Sequence, residues 1–301
     1  MPKPFLSIGI IFKNEIRCLE RCLKSLAPLR EAVPCELVMA DTGSDDGSRE
    51  IAEKYADIIF DFHWINDFAA ARNAVMDRCS GRWYLTMDAD EWLDEDVKEL
   101  STFLRSNNRK DLDVCTVVIR NYAEADNFEE YNDFLTIRML RMSTKIRYEG
   151  AVHELWRGPE DGFVNKTLSH TILHHDGYVG LNDESGKAKR RRNQELLEAQ
   201  LEQDPENVRL LLQYIESSRP DPQHVDYIRR GVAAVEEKKE GWQAFGPAVF
   251  RYAVLAARDN DLPEGDEWTA RAMELFPDSF YSRIDIAFLA FINCWEKKRF
   301  A

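Results

Sequence analysis

The sequence has no hydrophobic run close to the length of a membrane span, which takes about 20 consecutive apolar residues. Its first residues, MPKPFLSIGIIFKNE, also lack the basic leader and long apolar core of a secretion signal. Positive charge is in deficit, because 40 basic residues face 54 acidic ones and the net charge is −14. These absences predict a protein without an integral membrane segment that does not wrap nucleic acid.

The six cysteines form no paired C-x-x-C motif, the usual sign of a structural zinc site. Cys18 and Cys22 lie four residues apart on one face of a predicted helix, where packing explains them better than metal binding. A chain without a disulfide framework suits a reducing compartment, so we expect a cytoplasmic location. With 301 residues, 44% of them hydrophobic, the chain is long enough for one large domain or two modest ones.

Short apolar runs alternate with helical patterns over the first hundred residues. The runs predict strands at 5–12, 35–41, 57–62 and 82–90, and apolar residues spaced three and four apart predict helices between them. Such alternation predicts an α/β fold whose largely parallel sheet is covered by helices on both faces. Ligands of these sheets bind beyond the carboxyl ends of the strands.

Polar residues stand where three of these strands end. Asn14 and Glu15 follow the first strand, Asp41 ends the second, and Asp88 with Asp90 ends the fourth. A purely structural role would not explain why separate loops bring acids and amides to one edge of the sheet. The pattern therefore predicts a shared binding site at this rim.

The stretch WYLTMDADEW, residues 83–92, places three acids against a buried strand, where charge is costly. Carboxylates at positions 88 and 90 of an extended segment point in opposite directions, which predicts different roles for the two. In a competing interpretation, both aspartates only cap a helix predicted over 92–104. Likewise, TGSDDGS at 42–48 could be a surface turn, and Asp45 and Asp46 are assigned to that turn.

The later part of the chain changes character twice. Residues 113–122 and 134–156 alternate apolar with polar residues, which predicts antiparallel strands beside the parallel sheet. Beyond a polar segment at 181–193 the pattern is helical, so we predict an α/β domain over 1–182 and an all-α domain over 183–301. Helix breaks at Pro205, Gly241 and Pro277 recur about every 36 residues, which predicts repeats similar to the tetratricopeptide (TPR) type.

Three motifs in order resemble the nucleotide-sugar-binding half of family 2 glycosyltransferases of the GT-A fold: SIGIIFKNE, VMADTGSDDGSREIAEKYA and FAAARNAVMDRCSGRWYLTMDADEW. The resemblance covers residues 4–180. It implies a Rossmann-like GT-A catalytic domain with a mixed, mainly parallel sheet, followed by the TPR-like helical domain. It also implies that a hexose or N-acetylhexosamine moves from a UDP-sugar to an acceptor with inversion, aided by Mn²⁺ or Mg²⁺.

The resemblance assigns roles to the residues at matching positions. Asp41 would accept a hydrogen bond from the uracil imide, and Arg72 would lie near the base and diphosphate. Asp88-Ala89-Asp90 would be the D-x-D motif, in which Asp90 holds the cation directly and Asp88 contacts the ribose or a metal-bound water. Because the donor diphosphate is a dense anion, an acidic rim needs such a cation between them.

Two further motifs, VHE at 152–154 and H-x-G-Y at 175–178, resemble a subgroup of the family that carries helical repeats behind the catalytic domain. By this resemblance His175 would be a second metal ligand, with His153 and His174 as rivals. Glu154 would be the general base that takes the proton of the acceptor hydroxyl or thiol. Asn14 and Glu15 are counted with the residues that bind the nucleotide-sugar.

Three functions remain open. The helical domain could recruit a peptide or protein acceptor, or the acceptor could be a cell-envelope saccharide or lipid-linked sugar. In the third, the chain is a non-catalytic TPR-type adaptor with a degenerate sugar-nucleotide fold, which the presence of Asp41, Arg72, Asp88 and Asp90 argues against. The helical domain could also support the catalytic domain or form a homodimer contact.

Overall fold

The computed structural model describes residues 3–106, 111–124, 127–158, 162–176, 184–217, 225–260 and 262–277. The chain divides into two compact units, residues 1–186 and 187–301. The boundary proposed from the sequence, between 182 and 183, lies outside the described residues.

The first unit alternates strands and helices along the chain. Its strands are β1 (Leu6–Phe12), β2 (Cys35–Asp41), β3 (Ile58–Asp61), β4 (Trp83–Thr86), β5 (Glu91–Leu93), β6 (Val114–Glu124), β7 (Asn127–Arg141), β8 (Arg147–Glu149), β9 (Leu155–Arg157) and β10 (Asn165–His175). Its helices are α1 (Leu19–Ser25), α2 (Ala27–Ala32), α3 (Ser48–Ala52), α4 (Phe68–Met76) and α5 (Lys98–Arg105).

Eight of these strands form one mixed sheet in the order β3-β2-β1-β4-β7-β6-β10-β5. Pairing is parallel from β3 to β4 and between β6 and β10, and antiparallel elsewhere. The predicted mainly parallel α/β sheet is therefore confirmed, and β7 and β6 extend it as predicted antiparallel strands. The segment predicted at 134–156 stays in this sheet only to Arg141, because β8 and β9 form a separate two-stranded sheet.

Both faces of the sheet are covered, as the near-continuous apolar strands require. In β2, Leu37 and Met39 pack into one hydrophobic cluster while Val38 and Ala40 pack into another on the opposite face, because successive side chains of a strand alternate. Helices α1 and α5 contribute to the first cluster and α4 to the second. This arrangement leaves the carboxyl edge of β1, β2 and β4 to the polar loops.

The helix predicted over 92–104 begins later than expected. Residues 91–93 form β5 and pair with β10, and α5 starts only at Lys98, where the backbone N–H of Lys98 donates to the Asp96 carboxylate at 3.1 Å. Asp88 and Asp90 are therefore not caps of this helix, since a strand and a turn separate them from it. The interpretation that gave them only a capping role is wrong.

The second unit is helical over its described residues. Its helices are α6 (Glu184–Gln203), α7 (Val208–Ser217), α8 (Val225–Glu236), α9 (Trp242–Asp259) and α10 (Gly265–Leu275). Helices α7 to α10 pack on one another in sequence through buried residues such as Leu211, Val235 and Phe250. The polar segment predicted at 181–193 is largely part of α6, whereas the final helical pattern after Pro277 lies outside the described residues.

The TPR-like repeat stays a prediction. Of its three predicted breaks, Pro205 lies between α6 and α7, Gly241 stands at the start of α9 with φ of 83°, and Pro277 follows α10. None of the helices in the described part of the chain is long and apolar enough to cross a membrane.

Candidate active site

The loops that follow β1 and β2 are joined to each other at the carboxyl edge of the sheet. Asn14, whose φ of 56° lies in the left-handed region, accepts a hydrogen bond from the Asp45 backbone N–H at 2.9 Å. Its own N–H donates to the Ser44 hydroxyl at 3.2 Å, and the Glu15 N–H donates to the Ser48 hydroxyl at 2.8 Å. Asn14 and Glu15 thus fix the rim on which the site is built.

Asp41 lies almost completely buried at the end of β2. Its Oδ1 accepts hydrogen bonds from the backbone N–H groups of Gly43 and Ser44, at 3.0 and 2.8 Å. Its Oδ2 lies 3.9 Å from the Arg49 guanidinium. The carboxylate is therefore held in one orientation by the turn that follows it.

Five charged side chains form an alternating chain from the end of β4 to the β8–β9 hairpin. Arg138 of β7 donates to the Glu91 carboxylate and lies 3.3 Å from Asp88 Oδ2. Arg72 donates to Asp88 Oδ1 at 2.6 Å and to Glu154. We call the set Glu91, Arg138, Asp88, Arg72 and Glu154 the charge chain.

Local structure explains how Arg72 reaches this position. Helix α4 begins after Asp67, whose Oδ1 accepts a hydrogen bond from the Ala70 N–H at 2.9 Å and so satisfies one free N–H of the first turn. Arg72 then lies on the buried side of the helix, and its Nη1 also donates to the Thr86 hydroxyl at 3.0 Å. The guanidinium is thereby bound on three sides.

The pKa values of the two carboxyl groups nearest Arg138, those of Asp88 and Glu91, shift in opposite directions. Burial by itself raises the pKa of Asp88, but the charges of Arg72 and Arg138 outweigh burial and hold it well below its usual range. For Glu91 burial wins over the attraction of Arg138, and the negative charge of Asp88 adds to it, which raises the pKa to about 7. Asp88 is therefore ionised at neutral pH.

Asp90, the second aspartate of the D-x-D segment, lies close to His175. The register of β10 against β5 aligns His175 with Glu91, which brings its Nε2 within 3.6 Å of Asp90 Oδ2. Its Nδ1 lies 2.6 Å from Asn121 Oδ1, and because that amide oxygen can only accept, Nδ1 carries a proton. Burial lowers the pKa of His175, but Asp90, Glu91 and Asp88 together raise it above its ordinary value.

The Asp90 and His175 side chains fit a shared divalent cation. Oxygen and nitrogen ligands bind Mg²⁺, Mn²⁺ or similar ions at about 2.0–2.2 Å, so two atoms 3.6 Å apart can bind one ion. The hydrogen bond of Nδ1 to Asn121 orients the ring with Nε2 toward Asp90, as a ligating histidine requires. Among the described residues no group of three or more His, Cys, Asp or Glu could hold a metal, so phosphate and water would complete the shell.

His174, one of the two rivals, has both ring nitrogens engaged. Its Nδ1 lies 2.7 Å from the Tyr122 hydroxyl and its Nε2 lies 3.0 Å from Asp94 Oδ2. Trp92 also stacks on the ring at 5.1 Å between centroids. The other rival, His153, is exposed and belongs to the turn before β9. The geometry therefore favours His175 over both as the metal ligand.

Glu154 and its partner Arg72 both line a cavity of about 530 Å³. The cavity wall includes residues of α4, β4, β6, β7, β10 and the β8–β9 hairpin. Of the predicted residues, the structure brings Arg72, Asp88 and Glu154 together, and it pairs Asp90 with His175. Ala89 is buried between the two aspartates, whereas Asp41 ends β2, and Asn14 and Glu15 belong to the loop after β1.

Sequence reasoning missed Arg138 as a partner of the D-x-D segment. The residue lies in TIRML of β7, where the register with β6 shifts between Ile137 and Met139, so simple side-chain alternation does not give its direction or show which strand adjoins β7. The pairing of β7 with β4 supplies that information. Glu91 belongs to the acidic stretch at 83–92, but its hydrogen bond to Arg138 could not be derived without the pairing of β7 with β4.

Comparison with known proteins gives a consistent result. The sequence model described as "Glycosyl transferase family 2" matches residues 7–168. The chain is 25% identical over 263 residues to the SPbeta prophage-derived glycosyltransferase SunS of Bacillus subtilis, covering 85% of this chain and 60% of SunS. It is 34% identical over 104 residues to the lipopolysaccharide core biosynthesis glycosyltransferase LpsC of Rhizobium meliloti, covering 33% of this chain and 37% of LpsC.

The chain thus spans about 60% of the length of SunS. Among solved structures, it is similar to the crystal structure of S. aureus TarS, with a TM-score of 0.48 and 13% identity. That similarity covers 89% of this chain and 55% of the TarS chain.

Proposed function

Because the chain belongs to glycosyl transferase family 2, we propose that it transfers a hexose or N-acetylhexosamine from a UDP-sugar to an acceptor, with a divalent cation and inversion. The observation that supports this function most is the grouping at one sheet edge. Asp90 and His175 face each other there, while Arg72 links Asp88 to Glu154. An adaptor with a degenerate site would have no need to keep this arrangement of buried charges.

In the proposed mechanism each group has a distinct task. Asp90 and His175 would hold Mn²⁺ or Mg²⁺, which neutralises charge on the leaving diphosphate. Asp88 and Arg72 would orient the donor, and the guanidinium would stabilise the charge that develops as the glycosidic bond breaks. Asp41 would accept the uracil N–H through Oδ2, since its Oδ1 is already bound by the turn.

Glu154 would act as the general base. It lines the cavity together with Arg72, to which its carboxylate is bound, and an acceptor hydroxyl or thiol in the cavity could approach the anomeric carbon there. Arg72 orients the carboxylate, which could take the acceptor proton from this position. A single displacement of this kind inverts the anomeric centre, and a product with retained configuration would contradict it.

The location and the assembly are also proposals. Cys18, Cys22, Cys35, Cys79 and Cys115 are free thiols, which supports a reducing cytoplasm. A helical unit whose repeats resemble TPR units could recruit a peptide acceptor or form a homodimer.

A thermal-shift experiment tests the donor site. The full chain would be heated with UDP, GDP or CMP, each with Mn²⁺, with Mg²⁺ and with chelator. We expect UDP with metal to raise the melting temperature, since a ligand that binds only the native state stabilises it by mass action. Asp90→Ala should abolish the metal-dependent shift, and Glu95→Ala, which removes an exposed carboxylate of the β5–α5 loop, should keep it. A full shift in Asp90→Ala would relocate the metal site.

A further inference from the structure

Helix α1 is attached to the D-x-D segment on both sides of Asp90. The Cys22 thiol donates a hydrogen bond to the Asp88 carbonyl oxygen at 3.7 Å, an ordinary distance for a sulfur donor. The Ser25 hydroxyl accepts a hydrogen bond from the Leu93 backbone N–H at 2.9 Å and donates one to the Cys22 carbonyl at 2.6 Å. The helix therefore binds the backbone before and after the proposed metal ligand.

Arg21 of the same helix connects this segment with the end of β10. Its guanidinium carbon lies 3.7 Å from the centroid of the Trp92 ring, and Trp92 is the second residue after Asp90. Its Nη2 donates to Oδ2 of Asp176 at 2.7 Å, and Asp176 directly follows His175. One side chain therefore contacts a residue close to each of the two proposed metal ligands.

The pairing of β5 with β10 ends just before the two residues that Arg21 must bring together. The ladder aligns Leu173 with Leu93, His174 with Trp92 and His175 with Glu91. Asp90 and Asp176 each lie one residue beyond the last of these pairs. The ion pair of Arg21 with Asp176 attaches the end of β10 to α1, which already holds the chain around Asp90. Arg21 thus continues the connection where the strand pairing stops.

The environment of the Arg21–Asp176 pair favours a fixed geometry. Asp176 is only 5% exposed, so its interaction with Arg21 is screened less by water and salt than that of a surface pair. The Arg21 side chain is 38% exposed, but stacking on the Trp92 ring restrains the plane of its guanidinium. Arg17, which is more exposed, lies 3.8 Å from the same carboxylate and makes a weaker contact.

We propose that Arg21 is a positioning residue for the cation site, which fixes the spacing of Asp90 and His175 by binding the residues beside them. The Asp90 and His175 side chains lie 3.6 Å apart, and a functional site must be held within about 0.5 Å of its productive geometry. Residues that orient metal ligands raise the affinity for the ion although they never touch it. The assignment rests on the proposed function, in which Asp90 and His175 bind the cation.

The experiment measures metal binding, so that it does not depend on turnover. Mn²⁺ is titrated into the full chain with an excess of UDP, and electron paramagnetic resonance reports the free Mn²⁺. Arg21→Met removes the charge and keeps an unbranched apolar stem, whereas Arg21→Lys keeps the charge and loses the planar stack on Trp92. Lys24→Met makes the matched change at an exposed position of α1, where the lysine pairs with Glu20 of the same helix.

We expect Arg21→Met to raise the dissociation constant of Mn²⁺ about tenfold, the lower end of the effect of groups that orient metal ligands. Arg21→Lys should raise it less, and Lys24→Met should leave it unchanged. Saturating Mn²⁺ should restore the initial rate of UDP release in Arg21→Met, because a positioning residue touches neither the cation nor the donor. A purely structural role would instead lower the melting temperature in chelator and leave the Mn²⁺ affinity of the folded chain unchanged.

Two results would overturn the positioning role while the proposed function stands. In the first, Arg21→Met binds Mn²⁺ as tightly as the unmodified chain. In the second, Arg21→Met loses UDP affinity equally in chelator and in Mn²⁺, which would show that Arg21 binds the diphosphate itself. A failure of the proposed function would look different, because the unmodified chain would then show no UDP-dependent binding of Mn²⁺, and the positioning role would fall with it.

Discussion

The two aspartates of the D-x-D segment lie two residues apart and face opposite environments. Asp88 is bound by Arg72 and Arg138, whereas Asp90 lies 3.6 Å from His175 and makes no ion pair with a guanidinium of the described residues. The guanidiniums hold the pKa of Asp88 low and tie its carboxylate to the protein. The two aspartates of one motif thus lie in different environments, which supports the proposal that Asp88 organises the site and Asp90 binds the cation.

The largest expected effect is the loss of activity when Asp90 is replaced. If Asp90 binds the cation as proposed, Asp90→Asn should lower kcat/KM for sugar transfer by at least about 100-fold, because it would remove a metal ligand next to the leaving diphosphate. Its thermal stability without metal should change little, since the carboxylate makes no close contact with a guanidinium among the described residues. Initial rates of UDP release at varied Mn²⁺ would measure this. Activity restored in full by more Mn²⁺ would indicate weakened rather than lost coordination.

A second variant, Asp88→Asn, should lower the stability of the protein more than Asp90→Asn does. Asp88→Asn leaves Arg72 and Arg138 without a shared negative partner in a largely buried site. We expect the free energy of unfolding to fall by about 2 kcal/mol, below the 3–5 kcal/mol of a fully buried pair because Asp88 is partly exposed. Urea denaturation of Asp88→Asn and Asp90→Asn side by side would measure it. Equal losses in the two variants would erase the contrast between them.

A third carboxylate, Glu36, sharpens the comparison because it is held by neutral donors. It accepts hydrogen bonds from the Ser7 hydroxyl at 2.5 Å, the Ser80 N–H at 2.5 Å and the Gly81 N–H at 3.2 Å. Burial raises its pKa, but these hydrogen bonds outweigh burial and lower it. Without guanidinium partners, Glu36→Gln should cost only about 1 kcal/mol at pH 7, after allowing for partial exposure.

The contribution of Glu36 to the free energy of unfolding should depend on pH. Because its pKa is lower in the folded than in the unfolded protein, its contribution is complete above the unfolded value and is lost as the pH falls through the folded one. The stability difference between the original chain and Glu36→Gln should therefore shrink below about pH 4. Urea midpoints between pH 3 and 7 would measure this, and a constant difference would contradict it.

Much of the sheet could be predicted from the sequence. The apolar runs located β1, β2, β3 and β4, and the acids after them located the edge where the polar loops meet. The carboxylates at 88 and 90 differ as predicted, but not because of strand alternation, since β4 ends at Thr86 and residues 89 and 90 form a turn; their assigned roles stay predictions. These features depend on local periodicity, which a single sequence carries.

The features that failed depend on pairing between distant segments. The helix expected at 92–104 starts late because 91–93 pair with β10. The hydrogen bonds of His174 to Tyr122 and Asp94, which favour His175 as the proposed metal ligand, could not be derived from the sequence. The contact of Arg138 with the D-x-D segment required the order of β4 and β7. No local sequence pattern identifies these partners. The TPR-like repeat stays a prediction because the sequence lacks the full repeat consensus.

The charge chain has a consequence for how this sequence can vary. Each of its inner members, Arg138, Asp88 and Arg72, contacts two oppositely charged neighbours, so replacing one takes a charge partner away from both of them. Compensation requires a second change at an adjoining position, and the energetic effects of the two are not additive. In related chains these positions should therefore covary, with substitutions occurring in pairs rather than singly.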